Sequence, residues 1–371
     1  MGQIQLSNKA QIMAVTCGPY QGELYSAFGH SAIRVYDPEQ NINWIFNWGV
    51  FDFNQPNFYL NFAKGYLHYR LAVMNYEPFV DSYIEENRYV HEQVLNLTPQ
   101  QNQKLFDYLR WNARPENMHY YYDYFYDNCA TRVRDVLTTV FKDSIQFDGS
   151  YITTNYSIRE LCDNYLQQQP WGDLGIDLCL GLPMDKKATP YEYMFLPDYI
   201  ESGFNHAQFI TPNGSKPLVA QTIFTNQTKP KPARAIFWRP VVFTTALLLL
   251  GLLLTLVELR KKKHFKVFDI SLQTIAGLLG WLLLALWTLT DHNAAARNMN
   301  LIWAFPLYFP LAFFLLKRQR PVWLQRFYQF MAVLHAISLL LWFWLPQDLH
   351  LSLIPLVFLM LIRCWRILKK Q

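Results

Sequence analysis

The stretch Gly29-His30-Ser31-Ala32-Ile33-Arg34-Val35-Tyr36 decides how the first half of the chain folds. After His30 the residues alternate between apolar and polar, which is typical of a half-buried β-strand. Asp37-Pro38 breaks the pattern and Trp44–Gly49 follows, so the sequence predicts a β-hairpin that begins immediately after His30. Asn47 then lies on the strand antiparallel to that of His30.

The neighbouring sequence extends this hairpin into a mixed α and β domain. Further strands are predicted at Ala10–Thr16, Tyr66–Met74 and Arg88–Leu97. The motif Thr98-Pro99-Gln100-Gln101 predicts the start of a helix that runs to Arg110, since it supplies a cap, a proline at the first helical position and a capping box. A second helix is predicted from Cys129 to Phe141.

Charge is distributed unevenly along the 371 residues. Residues 236–371 contain 15 Lys and Arg against 4 Asp and Glu, whereas residues 1–235 contain 18 against 24. The first part therefore has the composition of a soluble domain, and the second is a basic, apolar membrane block. This excludes a purely soluble enzyme. It also argues against a nucleic-acid partner, because the positive charge lies in short runs between apolar segments.

Residues 236–371 predict a helical transmembrane domain of about five spans. The predicted spans are 241–259, 268–290, 299–316, 327–346 and 349–362. Of the 15 basic residues, 13 lie in alternate loops and in the C-terminal tail, which the positive-inside rule assigns to the cytoplasm. Five spans then place residues 1–235 outside the cytoplasm, as an extracytoplasmic domain.

Export of such a domain normally requires a signal peptide, and Met1–Gln11 contains no apolar segment of that kind. We therefore expect the numbering to describe a processed or re-engineered chain from which the signal peptide has been removed. Lys229–Arg239, with its prolines, is predicted to link the extracytoplasmic domain to the first span.

Cys129 is the strongest candidate for chemistry among the five cysteines. It follows Asp127-Asn128, which are good N-cap residues, and begins a predicted helix. A thiol in the first turn of a helix lies at the positive end of the helix dipole, which favours the nucleophilic thiolate. The alternative is a buried or disulfide-bonded cysteine. Elsewhere in the exported part, Cys162 and Cys179 are the predicted disulfide pair.

His30 at the head of a strand can meet Cys129 at the head of a helix, which is the geometry of papain-like thiol catalysis. There the histidine acts first as general base and then as general acid. A single histidine is more often structural, so the two interpretations are about equally supported. Asn47 is the candidate third member, because it would fix the imidazole tautomer. Asp52, which could instead cap a turn, is its alternative.

Other chemistries have little support in the sequence. It lacks a glycine-rich phosphate loop, a Cys-x-x-Cys pair, a His-Glu-x-x-His motif and a Gly-x-Ser-x-Gly motif. The remaining exported histidines do not have metal-ligand spacing. The segment Tyr120–Tyr126 is aromatic apart from Asp123 and predicts either a core strand or a lipid-facing surface.

Several motifs together resemble the signature of the Lnb family, the lipoprotein N-acyltransferases of Bacteroidota. They are Thr16-Cys17-Gly18-Pro19, Glu23-Leu24-Tyr25-Ser26, Phe28-Gly29-His30, Ile33-Arg34-Val35, Asn96-Leu97-Thr98-Pro99, Asp123-Tyr124-Phe125-Tyr126-Asp127-Asn128-Cys129, Thr131-Arg132 and Asn300-Leu301-Ile302-Trp303. The order, with the histidine strand before the cysteine helix, is also similar to that of permuted papain-like enzymes of the NlpC and lecithin:retinol acyltransferase type. The resemblance therefore implies an α+β, permuted papain-like extracytoplasmic domain followed by the membrane spans.

The resemblance implies an apolipoprotein N-acyltransferase of the bacterial inner membrane, with its N-terminal domain in the periplasm and its C-terminus in the cytoplasm. Cys129 and His30 would be the catalytic pair, with Asn47 as the third member. An acyl chain would move from a phospholipid to Cys129 as a thioester, and then to the α-amine of a diacylglyceryl-cysteine lipoprotein. The implied partners are the phospholipid, the diacylated lipoprotein and the membrane, and no cofactor or metal is required.

Residues around the nucleophile are candidates for substrate binding, namely Tyr126, Asp127, Asn128 and Arg132. Two alternative functions remain open. One is a membrane-tethered thiol peptidase or amidase of the cell envelope, which would use the same pair with water as acceptor. It is disfavoured because a simple hydrolase needs one anchor rather than five spans. The other is a non-catalytic lipid-binding module in which Cys129 is disulfide-bonded.

Overall fold

The computed structural model describes residues 4–51, 54–212, 214–229, 238–261, 263–317 and 319–369. Contacts divide the chain into two compact units. The first comprises Met1–Tyr165 and Lys187–Pro232, and the second comprises Leu166–Lys186 and Ala233–Gln371. The short segment 166–186 lies within the sequence assigned to the extracytoplasmic domain, but it packs with the apolar C-terminal helices.

Among the described residues, ten strands form the sheets of the first unit. They are β1 Gln11–Cys17, β2 His30–Asp37, β3 Ile42–Val50, β4 His68–Asn75, β5 Val90–Leu95, β6 His119–Tyr121, β7 Ile145–Gln146, β8 Gln208–Thr211, β9 Gly214–Pro217 and β10 Val219–Asn226. Seven of them make an antiparallel sheet in the order β10-β5-β1-β2-β3-β4-β6, and β7, β8 and β9 make a smaller sheet. The predicted hairpin after His30 is confirmed, with Ile33 opposite Phe46.

Helices cover both faces of the large sheet. In the first unit they are α1 Phe58–Lys64, α2 Tyr76–Glu85, α3 Pro99–Asn112, α4 Cys129–Phe141, α5 Ile158–Leu166, α7 Pro190–Tyr193 and α8 Pro197–His206. Because side chains alternate along a strand, Ile12 and Ala14 of β1 face a core shared with α3, α4 and α8, whereas Val15 and Cys17 face α2. The α+β class is confirmed, and so are α3 with its capping box and α4 with its predicted bounds.

The second unit contains α6 Pro170–Cys179, α9 Pro240–Lys261, α10 Lys266–Thr288, α11 Tyr308–Ala312, α12 Val322–Leu340 and α13 Ile354–Leu368. Within the described residues, three helices are long and apolar enough to cross a membrane. They are Pro240–Lys261, Lys266–Thr288 and Leu351–Leu368. The first two correspond to the predicted spans 241–259 and 268–290, whereas the third extends beyond the predicted end at residue 362.

The other two predicted spans differ from simple membrane helices. Residues 299–316 contain the five-residue α11, with one 3-10 turn before it and one after it. Pro306 and Pro310 explain the interruption, because proline cannot donate the backbone hydrogen bond that continues a helix. The predicted span 327–346 overlaps α12, which begins earlier and includes Gln325, Arg326 and Gln329 near its start. These polar residues lower its mean hydropathy.

A buried ionic cluster ties three helices of the second unit together. The Arg363 guanidinium donates to Asp269 at 2.6 Å and to Glu258 at 2.9 Å, and it also reaches the Thr255 hydroxyl at 2.7 Å. Arg366 donates to the second oxygen of Glu258 at 3.0 Å. Two buried cations therefore balance two buried carboxylates, which allows α13 to continue through its arginines against α9 and α10.

The segment 166–186 is held in the second unit by side chains from the loops between its helices. The Asn298 amide donates to the Leu178 carbonyl at 2.7 Å, and the Gln347 amide donates to the Leu180 carbonyl at 3.1 Å. Backbone groups at the end of α6, which would otherwise lack partners, are satisfied in this way.

Substitution of Arg363 by leucine should destabilise the second unit, because the buried Asp269 would lose its guanidinium partner and keep only His264, at 2.6 Å. Removal of one partner of a buried ion pair costs about 3–5 kcal/mol. Thermal unfolding of the detergent-solubilised full chain measures this loss. Arg326→Leu is the matched control, because Arg326 lies exposed on α12. Equal unfolding midpoints for the two variants would contradict the prediction.

Candidate active site

Cys129 is buried and occupies the first position of α4. The preceding residue, Asn128, caps the helix, and its side-chain oxygen accepts hydrogen bonds from the backbone N–H groups of Ala130 and Thr131, both at 2.9 Å. The Thr131 hydroxyl oxygen in turn accepts a hydrogen bond from the backbone N–H of Asn128 at 2.8 Å. The predicted cap is therefore present, and it places the thiol at the positive end of the helix.

The amide nitrogen of the Asn128 side chain binds two backbone carbonyl groups. Its nitrogen donates to the carbonyls of Tyr124 and Phe195, both at 2.8 Å. The loop before the helix is closed by two backbone hydrogen bonds between Asp123 and Asp127, both at 3.1 Å. The position of the helix start is thus fixed from the loop before it and from a segment far along the sequence.

His30 is the first residue of β2, and its Nε2 lies 2.6 Å from the Oδ1 of Asn47 on β3. An amide oxygen only accepts hydrogen bonds, so Nε2 carries the proton and Nδ1 is the ring nitrogen left to exchange a proton with a thiol. The imidazole also stacks on Tyr83 of α2, with ring centroids 6.1 Å apart and planes inclined by 15°. The hairpin and α2 therefore hold the ring in one orientation.

Cys129 and His30 lie close enough for each to shift the pKa of the other. Burial raises the pKa of the Cys129 thiol, but the charge of His30, its hydrogen bond and the N–H groups of Ser31 and Ala130 outweigh burial and lower this pKa below its ordinary value. Burial likewise lowers the pKa of His30, but the charge of Cys129 and the hydrogen bonds to Cys129 and Asn47 raise it above its ordinary value. Both shifts favour a thiolate–imidazolium pair.

Gly49 leaves space beside Cys129. It lies in an irregularity of β3 between Asn47 and Val50 and has a φ of +89°, which disfavours residues with a side chain. A Cβ at this position would lie 3.7 Å from the Cβ of Cys129 and 3.4 Å from the ring of Tyr122. Glycine within a strand is the sequence signal for such a bulge.

Two family models match the chain. One, described as the Lnb N-terminal periplasmic domain, matches residues 5–164, and the other, described as the Lnb transmembrane domain, matches residues 232–371. The chain belongs to the Lnb family. The resemblance inferred from the motifs is thereby confirmed, together with a periplasmic N-terminal domain and a membrane-spanning C-terminal region. Searches of curated proteins and of solved structures found no match.

The residues predicted to bind substrate have different positions in this Lnb-family protein. Asn128 is buried, and its side chain is engaged in the helix cap. Asp127 and Arg132 form an ion pair, and the Arg132 guanidinium lies 4.0 Å from the centre of the Tyr120 ring. Tyr126 is half exposed at the surface. Contact of these residues with substrate stays a prediction.

Asp52, the alternative to Asn47 as third member, lies outside the described residues. Tyr83, which packs on His30, was missed because the helix that carries it was not predicted. In the aromatic segment Tyr120–Tyr126, Tyr120 packs against the core and Tyr121 is exposed. A lipid-facing surface at this segment stays a prediction.

The cysteines near the site are thiols rather than halves of disulfides. Cys129 is free, so the lipid-binding alternative loses the disulfide on which it depended. Cys179 is a half-buried thiol, so its predicted disulfide with Cys162 is wrong. Cys17 is the cross-strand partner of His30, and burial raises the pKa of its thiol well above the ordinary value. Of these two neighbours of His30, Cys129 is the one placed to act as a nucleophile.

Substitution of Asn47 by alanine should make Cys129 less reactive at neutral pH. The hydrogen bond to Asn47 raises the pKa of His30, so its loss weakens the imidazolium and moves the pKa of Cys129 upward. A hydrogen bond to a charged group contributes about 1.5–3 kcal/mol, which corresponds to about a 10- to 150-fold change in the fraction of thiolate. The pH dependence of iodoacetamide labelling, corrected with Cys129→Ser, measures this shift.

Asn43→Ala is the control for this measurement, because Asn43 lies on the same strand but accepts a hydrogen bond from Arg34 at 2.8 Å. The labelling profile of this control should match that of the unmodified protein. An Asn47→Ala profile with an unchanged midpoint would show that Asn47 does not support the imidazolium.

Substitution of Asn128 by alanine should lower both stability and thiol reactivity, because the same side chain caps α4 and places Cys129. Thr98→Ala removes the cap of α3 and is the matched control. Loss of a cap costs about 0.5–2 kcal/mol, so both variants should unfold at lower temperature. Only Asn128→Ala should slow alkylation of Cys129. Equal labelling rates for the two variants would contradict the positioning role of Asn128.

Proposed function

We propose that this protein is an apolipoprotein N-acyltransferase, which moves an acyl chain from a phospholipid to the α-amine of a diacylglyceryl-cysteine lipoprotein. The observation that carries the proposal is the arrangement in which Asn47 is hydrogen-bonded to His30 and His30 lowers the pKa of Cys129, in the periplasmic domain of an Lnb-family chain. The membrane-spanning region supports it further, because both proposed substrates are lipids or lipid-anchored and must react at the membrane surface.

The first step transfers the acyl chain to the enzyme. The Cys129 thiolate attacks the carbonyl carbon of a phospholipid ester and forms a carbon–sulfur bond. The carbon–oxygen bond to the glycerol then breaks, and the His30 imidazolium protonates the departing oxygen. The products are a lysophospholipid, neutral His30 and a thioester on Cys129.

The second step transfers the acyl chain to the lipoprotein. The neutral α-amine of the lipoprotein attacks the thioester carbonyl, and His30 accepts a proton from the attacking nitrogen. The carbon–sulfur bond breaks and restores the thiolate–imidazolium pair. Asn47 keeps Nε2 protonated throughout, so that Nδ1 is the nitrogen that exchanges protons in both steps.

The tetrahedral intermediates of both steps carry an oxyanion that needs hydrogen-bond donors. The N–H groups of Cys129 and Ala130 are the nearest candidates at the start of α4. The Ala130 N–H donates to the Asn128 cap at 2.9 Å. We therefore assign the main backbone contact with the oxyanion to the Cys129 N–H.

The histidine-before-cysteine order along the chain also supports a permuted papain-like arrangement.

We further propose five membrane crossings in the inner membrane, with the C-terminus in the cytoplasm. Arg320 supports this count, because it donates to the Ile367 carbonyl at the end of α13 at 3.2 Å and lies 3.4 Å from His264 in the α9–α10 loop. Those three points then share one side of the membrane. The chain between the far end of α10 and Arg320 must therefore cross back, and α12 must cross again to reach α13.

Mass spectrometry of the N-terminal peptide of a reporter lipoprotein tests the proposed reaction. Cells that make this protein should add a third acyl chain, and Cys129→Ser should abolish the addition, with a loss of about 10³-fold or more. Cys179→Ser is the control, because its thiol lies in the second unit. A third acyl chain made by the Cys129→Ser variant would contradict the mechanism. Release of free fatty acid with an unmodified amine would instead indicate a hydrolase.

A further inference from the structure

The helix α1 presents apolar side chains to the surroundings instead of to a core. None of its seven residues is buried, although its sequence is Phe-Tyr-Leu-Asn-Phe-Ala-Lys. We define the apolar patch as the exposed large side chains of α1, of the loop that follows it and of the edge strand β6. These are Tyr59, Leu60, Phe62, Tyr66 and Tyr121. Tyr59 is 76% exposed, and such a cluster of apolar surface on a soluble domain marks an interaction site.

The charged residues of the segment that carries most of the apolar patch have one sign. Residues 54–75 contain no Asp or Glu, whereas Lys64 and Arg70 are both exposed. A surface that combines tyrosine and phenylalanine with basic residues matches the interface of a membrane, where aromatic rings lie at the level of the headgroups and cations approach anionic lipids. A protein partner with mixed surface charge would not require this bias.

A continuous row of aromatic rings connects the apolar patch to the nucleophile. Phe58 of α1 lies 6.0 Å from Phe51, Phe51 lies 5.1 Å from Tyr69, and Tyr69 lies 4.7 Å from Tyr122, measured between ring centroids. The Tyr122 ring and the Cys129 side chain both lie against Gly49. We call these four rings the aromatic row. These rings run from the exposed helix to the space beside the thiol.

We propose that the apolar patch contacts the periplasmic surface of the membrane and that the acyl chain of the phospholipid donor reaches Cys129 along the aromatic row. The membrane is the occupant that the chain itself keeps within reach, because its own spanning helices anchor the periplasmic domain there. The contact with lipid stands independently of the reaction, whereas the passage of the acyl donor rests on the proposed function.

Photo-crosslinking of the full chain in phosphatidylethanolamine and phosphatidylglycerol vesicles tests the contact directly. Benzoylphenylalanine replaces Tyr59 in one variant and Phe224 in the control. Phe224 is 59% exposed and lies on β10, at the opposite edge of the sheet from β4 and β6. We expect at least about fivefold more phospholipid adduct at position 59 than at position 224. Equal yields, or an adduct with polypeptide instead of lipid at position 59, would overturn the proposal.

A second experiment tests the passage of the donor. The triple variant Tyr59→Ser, Leu60→Ser, Phe62→Ser is compared with Ile223→Ser, Phe224→Ser, which removes matched exposed apolar side chains from β10. We expect the triple variant to accept acyl chains from vesicle phospholipid at least about tenfold more slowly. Acylation of Cys129 by soluble p-nitrophenyl butyrate should change less than about twofold, because this ester does not have to leave a membrane.

The outcomes separate this inference from the proposed function. Equal loss with both donors, or no loss with either, would overturn the passage along the aromatic row. If the unmodified protein forms the lipid adduct at position 59 but never acylates a lipoprotein, the membrane contact stands and the proposed function fails. If it acylates lipoprotein but gives equal adducts at the two positions, the proposed function stands and the membrane contact fails.

Discussion

The hydrogen bonds of the Asn128 side chain hold Cys129 in place, and the rest of the candidate site depends on them. Its oxygen secures the first turn of α4, and its nitrogen binds the carbonyl of Phe195, a residue 67 positions further along the chain. The first residues of a helix otherwise lack backbone partners and fray. His30 and Asn47 are held separately by a β-hairpin, so the site is the meeting point of one capped helix and one pair of strands.

Much of the candidate site could be predicted, because the sequence signals for its strand and its capped helix are local. Alternation after His30 indicated the strand, the residues before Cys129 indicated the cap, and antiparallel pairing placed Asn47 beside His30. The electrostatic balance of the pair could not be predicted, since it depends on burial by distant elements. Tyr83 is an example, because it packs on His30 from α2, a helix about fifty residues further along the chain.

Contacts between distant parts of the sequence account for the remaining differences. The edge strand β10 pairs with β5, although residues 96–218 separate the two strands in the sequence. The local sequence of β10 gives no indication of that partner. In the membrane-spanning region, the hydropathy of the sequence predicts that the last span ends before Arg363. The helix continues because Glu258 and Asp269 from two other helices neutralise its arginines. Hydropathy is calculated for each segment alone, whereas the stability of a buried charge depends on the oppositely charged residues that contact it.

The segment 166–186 makes the boundary in sequence differ from the boundary in space. The polypeptide passes between the two units three times, after Tyr165, Lys186 and Pro232. A fragment that ends before α9 would still contain α6 but would lack Asn298 and Gln347, which satisfy its backbone carbonyls. Such a fragment would expose an orphaned surface and tend to aggregate. Conversely, a protease that cut between residues 232 and 233 would not release the periplasmic domain, because α6 would remain lodged among the membrane helices.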